Sequence, residues 1–445
     1  MSRPAGHWSV TRQQADWAGG PVTPDSFFLS EWRARRPGER RSLRRARELA
    51  ARLGLTSQTP PVLSVVGSKG KGTTATYASA CLAAAGKRVV TVTGPGYRRS
   101  RERIRLNGCA VDDATLLGLA KRLQDAVAKM PSSARAGRDA GGDGYLAPTG
   151  LFTLAGVLHA RDVAADVIVL EAGMGGKSDE ISLFPPAVAA LTAIFAEHVG
   201  KLGDTPAEIA REKASIVTSQ TRAVLTVLQS ADVWRAIEDT VTKLSTGRLR
   251  LELVREGSTA VPRHLLPAGL SARGAELGCA AGGRLLDVTG WDAPSPGELA
   301  TVLGSVRLPG RLSRHWLPGS GMELIVDSAS NRAAAAAALA TARTWWTGID
   351  HVLICLPDHK DVTGVTAELA GLPVTFVRMP DDHLRFTLPL PPDWSVIDAA
   401  SLTSELVAGL GRRVLALGTV YFAGLILDLA DADTECLFRT DTKIP

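Results

Sequence analysis

No stretch of the sequence approaches the ~20 consecutive apolar residues that a membrane-spanning helix needs, which excludes a bilayer span of that kind. The opening residues, MSRPAGHWSV, hold no apolar core of a secretory signal. Cysteine is scarce: Cys81, Cys109, Cys279, Cys355 and Cys436 lie far apart, with no CxxC pair. That spacing argues against a zinc ribbon and against a disulfide framework, and it fits a reducing cytoplasm. Lysine is rare too, with 11 against 40 arginines, and the net charge is only +6. So mild an excess suits a polyanion or a small anionic substrate equally well. The absence of internal repeats and heptads removes solenoids and coiled coils.

What is present is a globular chain of 445 residues, 45% hydrophobic and 22% charged. That is too long for one ordinary core, so two domains are expected. The arginine-rich run EWRARRPGERRSLRRARELAARLG predicts a basic helix after Pro37 that ends near Gly54. Its arginines are expected on a solvated face, with Leu43, Ala46, Leu49 and Leu53 turned inward. β-branched runs at 62–66, 88–93, 167–171, 188–194 and 223–227 then alternate with helical stretches at 72–85, 113–129, 149–160 and 206–217. Such alternation predicts βαβ units and a mostly parallel sheet. Residues 134–144 (ARAGRDAGGDG) read as a mobile loop, and proline and glycine at 292–309 suggest a linker. A second alternating series follows, with strands at 323–326, 352–356, 374–377 and 414–417 and helices at 331–342 and 401–410. The expected architecture is α/β: a larger N-terminal domain with a mostly parallel sheet over 1–300, and a smaller Rossmann-like α/β domain over 301–445.

Residues 62–74 read VLSVVGSKGKGTT, an apolar strand running into a glycine-rich turn with a helix behind it. The glycines let successive backbone N–H groups curl toward a phosphate, and the helix N-terminus adds partial positive charge. Gly67, Ser68, Lys69, Gly70, Lys71, Gly72 and Thr73 are therefore candidate nucleotide-binding residues. Lys71 can reach the β- and γ-phosphates, and Thr73 can offer a hydroxyl to magnesium. Gly72 breaks the usual GxxxxGK[ST] spacing. Glu171 ends an apolar strand and His198 follows the next one, so both fall at the carboxyl edge where open α/β sheets bind ligands.

At these residues the sequence resembles the folylpolyglutamate and dihydrofolate synthases of the Mur ligase superfamily. GSKGKGTT is similar to their GTNGKGS loop, and RERIRLNG (101–108) to their ERIRING segment. DVIVLEAGMGGKSD (166–179) resembles DVAVLEVGLGGRLDA. LTAIFAEHVGKLGDTPAEIAREKASI (191–216) is similar to the family's ITSIGLDH…EKAGI stretch. LPGRLS (308–313), LIVDSASN (324–331), HKDV (359–362) and ALGTVYFAG (416–424) follow the family's later elements in order. The resemblance implies a fold of Mur ligase type and an ATP-dependent, ADP-forming amide ligase. It implies Glu171 and His198 as magnesium ligands beside Thr73, with Lys213 carbamylated and holding a second ion. It also implies Arg311 at the γ-phosphate and Asp327 at the nucleotide, and it makes Lys71, Lys213, His198 and Arg311 the catalytic candidates.

Several family positions differ. TSPH reads TGPG (93–96), so Gly94 replaces a serine ligand. The adenine-contacting asparagine aligns with Gly274, and DGAHN has become DSASN, with Ser330 for histidine and Arg332 after it. The TxFE segment reads TGLF, with Phe152 at the acid's position. These changes concentrate around the acceptor and the adenine. The expected activity is therefore a ligase joining a non-folate, specialised carboxylate to an amine, an amino acid above all, through an acyl phosphate. A folylpolyglutamate or dihydrofolate synthase is the alternative. A reading of another class is a non-catalytic nucleotide-binding protein, or a nucleic-acid-binding ATPase using the arginines of 33–47 and 98–105. Small-molecule partners are favoured over nucleic acid and membrane.

Overall fold

The computed structural model describes residues 24–56, 59–130 and 144–440. The loop expected at 134–144 lies, except for Gly144, outside them. The chain divides into two units, and each is described by itself.

The first unit comprises Phe28–Arg307 together with the C-terminal segment from Thr434. Its sheet is built from β1 (Val62–Val66), β2 (Val89–Val92), β3 (Ile104–Leu106), β4 (Cys109–Ala110), β5 (Val167–Glu171), β6 (Val188–Leu191), β7 (Ala223–Thr226) and β8 (Leu251–Leu253). The order is β4-β3-β2-β5-β1-β6-β7-β8. The six strands from β2 to β8 run parallel, and β3 and β4 add an antiparallel edge. Every residue of β1, β2, β6 and β7 is buried, so both sheet faces are covered, as unbroken apolar strands require.

The covering helices are α1 (Leu43–Arg52), α2 (Lys71–Ala84), α3 (Asp113–Ala128), α4 (Pro148–Asp162), α5 (Pro206–Ala214), α6 (Ala231–Leu244), α7 (Ser271–Thr289) and α8 (Pro296–Gly304). Helix α7 lies close along α2 because its glycines recur every fourth residue. A Cβ at Gly278 would overlap the Thr74 carbonyl oxygen. One at Gly282 would crowd the Ala78 carbonyl, and one at Gly274 that of Gly70. The Thr74 hydroxyl donates to the Gly274 carbonyl at 2.8 Å and fixes the register.

The second unit comprises Leu308–Asp433 together with Pro24–Phe27. Strands β9 (Ser313–Trp316), β10 (Glu323–Asp327), β11 (His351–Cys355), β12 (Val374–Arg378), β13 (Ser395–Asp398) and β14 (Arg413–Gly418) form a sheet ordered β13-β12-β11-β14-β10-β9. Only β9 is antiparallel. Helices α9 (Arg332–Trp345), α10 (Val362–Glu368), α11 (Ser404–Ala408) and α12 (Val420–Leu429) accompany it. Ala335, Ala338, Leu339 and Ala342 of α9 join Ile325, Ile354, Leu415 and Leu417 of the strands in one core.

Four expectations need correction. The basic helix starts only at Leu43, capped by Ser42, and Arg45 is buried rather than solvated. Its guanidinium forks onto the Glu31 carboxylate at 2.6 and 2.8 Å, which satisfies the buried charge. The stretch read as a linker contains α8: Ser295 accepts from the Glu298 N–H while the Glu298 carboxylate accepts from the Ser295 N–H, a capping box with Pro296 in the first turn. The sequence reading puts the C-terminal residues in the second domain, but Thr434–Thr440 belong to the first unit. Lastly, Cys109 and Cys436 form a disulfide. The two thiols meet because Ala110 N–H donates to the Glu435 carbonyl at 2.8 Å and the buried Arg105 donates to the Thr434 and Gly108 carbonyls. No helix among the described residues is long and apolar enough to cross a membrane.

Candidate active site

The glycine-rich loop leaves the carboxyl end of β1 at Gly67, whose φ is +139°. A side chain there would overlap the Thr192 hydroxyl, so only glycine fits. The Ser68 N–H donates to the Ala193 carbonyl at 3.0 Å, and the Phe195 N–H donates to the Ser68 hydroxyl at 3.2 Å. These bonds hold the loop to the segment after β6. Gly70, at φ +89°, turns the chain into α2, which begins at Lys71. The loop thus ends in a helix N-terminus whose N–H groups and dipole favour an anion.

Two ammonium groups meet at this loop. Lys71 Nζ donates to the Gly67 carbonyl at 3.1 Å, and Lys213 Nζ donates to the same carbonyl at 2.8 Å. Lys213 comes from α5 and is buried. Burial and the nearby Lys71 lower its pKa, while Glu197, which accepts from it at 2.8 Å, opposes the shift. Glu197 is a site residue that the sequence did not single out. It sits next to His198, and only the fold brings it to a lysine 16 positions on.

Glu171 ends β5 as expected. Its Oε2 accepts from the Gly94 N–H at 3.2 Å and lies near the α-carbon of Gly72, at the first turn of α2. A carboxylate is favoured there by the helix dipole. The loop after Glu171 reaches α5: Lys177 N–H donates to the Glu212 carbonyl at 3.2 Å, and a Cβ at Gly176 would overlap the Lys213 carbonyl. So the GMGGKSD segment ties the Glu171 strand to the helix carrying Lys213. Farther along it, buried Asp179 and Glu180 share the Arg41 guanidinium at 3.0 and 3.2 Å. Burial, with Asp179 beside it, pushes Glu180 up to about 7.

The oxygen donors fit magnesium, a hard cation that accepts one or two protein ligands and completes its shell with phosphate and water. Thr73 is buried in the first turn of α2, the helix turn that Glu171 faces. Among the described residues no three of histidine, cysteine, aspartate and glutamate gather as a metal cluster. His198 is exposed, in a left-handed conformation at φ +50°. As an ammonium, Lys213 donates to both its partners and does not ligate a cation.

In the second unit, Arg311 and Asp327 are brought together. Asp327 Oδ2 accepts from the Leu312 N–H at 2.8 Å, and the Ser328 N–H donates to the Gly310 carbonyl at 3.0 Å. Asn331 caps α9 by accepting from the Ala334 N–H at 2.9 Å, so Arg332 takes the first helical position. Asp361 accepts from the Arg332 N–H at 2.9 Å and caps α10. Gly274 is buried against Gly70 and Thr74, where a larger side chain has little room. Phe152 is buried in a stack with Phe28 at 4.0 Å, and the Arg103 guanidinium lies 4.6 Å from its ring centre. The arginine sets weighed for nucleic acid are partly consumed inside the fold: Arg41 on Asp179 and Glu180, Arg45 on Glu31, Arg101 on Glu435, and Arg105 on backbone carbonyls.

No family model matches the chain. Fold and loop together define a two-unit α/β protein with a Mur ligase type of fold and a glycine-rich loop after β1. It shares its fold with Mycobacterium tuberculosis folylpolyglutamate synthase complexed with ADP (TM-score 0.74, 22% identity, 92% of this chain and 99% of that one). It shares it equally with the apo form of L. casei FPGS (TM-score 0.74, 19% identity, 92% and 99%). By sequence it is a relative of the folylpolyglutamate and dihydrofolate synthases. It is 32% identical over 183 residues to the dihydrofolate synthase/folylpolyglutamate synthase of Escherichia coli, 41% of this chain and 40% of that protein. It is 29% identical over 195 residues to that of Bacillus subtilis, 43% of each. The match thus spans about two fifths of each of these relatives.

Proposed function

We propose that the chain is an ATP-dependent, ADP-forming ligase that joins a carboxylate to an amine. The observation that carries this reading is the convergence of Lys71 and Lys213 on the Gly67 carbonyl, inside a strand–loop–helix built for phosphate. Two ammoniums there suit the charge of a triphosphate. Solved neighbours complexed with ADP and AMPPCP support nucleotide use.

A carboxylate oxygen attacks the γ-phosphorus of ATP, the bond to the bridging oxygen breaks, and ADP leaves an acyl phosphate behind. An amine nitrogen then attacks the acyl carbon and loses a proton, and phosphate departs. Loop N–H groups from Lys69 to Thr73 hold the phosphates, and Lys71 neutralises charge on the transferring group. Arg311 is assigned to the γ-phosphate and Asp327 to the nucleotide. Magnesium, held by Thr73 and Glu171, would supply charge neutralisation on phosphate oxygens. A second position at His198 and a carbamylated Lys213 would require Lys213 to give up its ammonium bonds to Gly67 and Glu197.

For the acceptor, two observations point in different directions. The relatives' names, and a neighbour solved with AMPPCP and folate, support a folate and glutamate. The buried Phe152–Phe28 stack under Arg103, where the family places an acid, supports a different carboxylate, and we favour this second reading. Mass spectrometry of products from a folate, glutamate and ATP separates them. A folylglutamate formed at the rate of a dedicated synthase overturns our choice of acceptor and leaves the ligase reading intact.

A further inference from the structure

At the opposite edge of the first sheet lies a groove of about 700 Å³, within the range of small-molecule sites. It opens at the amino ends of the strands: Val62 begins β1, Ala187 precedes β6, Arg222 precedes β7, and Thr289 ends α7. The five-residue β1, about 16 Å long at ~3.3 Å per residue, separates it from the phosphate loop. Pro60, Pro61, Pro185, Ala187 and Trp291 line it with apolar surface.

Among the described residues its charge is of one sign, since no aspartate or glutamate lines it while Arg222 and Arg248 do. Each guanidinium is oriented by a single carbonyl: Arg222 donates to Val288 at 2.6 Å and Arg248 to Ser219 at 2.8 Å. Among the described residues neither pairs with a carboxylate, and most of the five N–H donors of each stay available there. Lys87 Nζ lies 4.7 Å from the centre of the Trp291 ring and adds a third positive charge. The Arg222 bond also blunts the negative carbonyl end of α7, which would otherwise oppose an anion.

We propose that this groove is a second small-molecule site, for an anion with a flat apolar body: the body on the prolines and Trp291, the acidic group on Arg222 and Arg248. The inference does not depend on the ligase reading.

The test is isothermal titration of the full chain with naphthalene-2-sulfonate, and with neutral 2-naphthalenemethanol as comparison. The wild type is expected to bind the sulfonate and to bind the alcohol at least about tenfold more weakly, or ~1.4 kcal/mol. Arg222→Gln with Arg248→Gln is expected to lose a similar factor for the sulfonate, whereas Lys71→Ala, which disables the phosphate loop, keeps the wild-type affinity. If the double variant melts early, Arg248→Gln alone, which gives up only a bond to an exposed turn, reads the same loss in part. Equal affinity for sulfonate and alcohol, unchanged affinity in the arginine variants, or loss in Lys71→Ala overturns the proposal.

Discussion

At Gly67 backbone shape and packing make the same demand. Its φ of +139° disfavours any side chain, and the Thr192 hydroxyl occupies the space that a Cβ would need. Gly67→Ala is expected to cost about 2–4 kcal/mol through strain and overlap, read as a lower denaturation midpoint, and to abolish ATP binding. Glu180 sets a pH dependence. Its carboxyl titrates near 4.5 when unfolded and is pushed up to about 7 when folded. Between those values the native state holds the extra proton, so stability is full below 4.5 and falls as pH rises to 7. Glu180→Gln is expected to flatten that decline, on the order of 1–3 kcal/mol across the window, in urea titrations at pH 4.5 and 7.5. Lys71 and Glu171 were legible as candidates because each stands at or just past the end of an apolar strand, at the edge where open α/β sheets bind ligands. Lys213, a lone lysine on a helix, stood out only through the family resemblance. Glu197 and Thr192 were not, since their partners Lys213 and Gly67 are joined to them only by folding.

At the scale of elements, the close fit of α7 on α2 positions the phosphate loop from behind. Gly278→Val places a branched side chain against the Thr74 carbonyl and is expected to cost about 1–3 kcal/mol. It is also expected to weaken ATP affinity, since α2 starts at Lys71. Calorimetric melting and nucleotide titration on one preparation check both. Strands β1 and β5 were readable as β-branched runs between turn residues. Helix α7 was not, because glycine lowers helix propensity, and its Gly274, Gly278, Gly282 spacing gains meaning only opposite a partner helix. Helix α8 was missed because serine, proline and glycine resemble a linker, although the Ser295–Glu298 pair is the signature of a helix start.

At the scale of the molecule, the disulfide joins residues 327 positions apart, a span that includes Leu308–Asp433 of the second unit. Bridging so long a loop restricts the unfolded chain, so Cys436→Ser is expected to lower stability by about 2–5 kcal/mol. Reductant is expected to act equally on the wild type and not on the variant, by thermal melting with and without dithiothreitol. Spacing alone hides such a bridge. The two-part α/β organisation, by contrast, follows from the alternation of strand and helix lengths along the chain.

The central claim is that phosphoryl transfer here serves amide formation. Its most direct measurement is the initial rate of ADP release from ATP and magnesium across a matrix of carboxylates and amino acids, with Lys71→Ala as the blank. The expected result is release that rises above the blank only when a particular carboxylate and a particular amine are both present. Release above the blank that ignores the carboxylate and the amine contradicts the account.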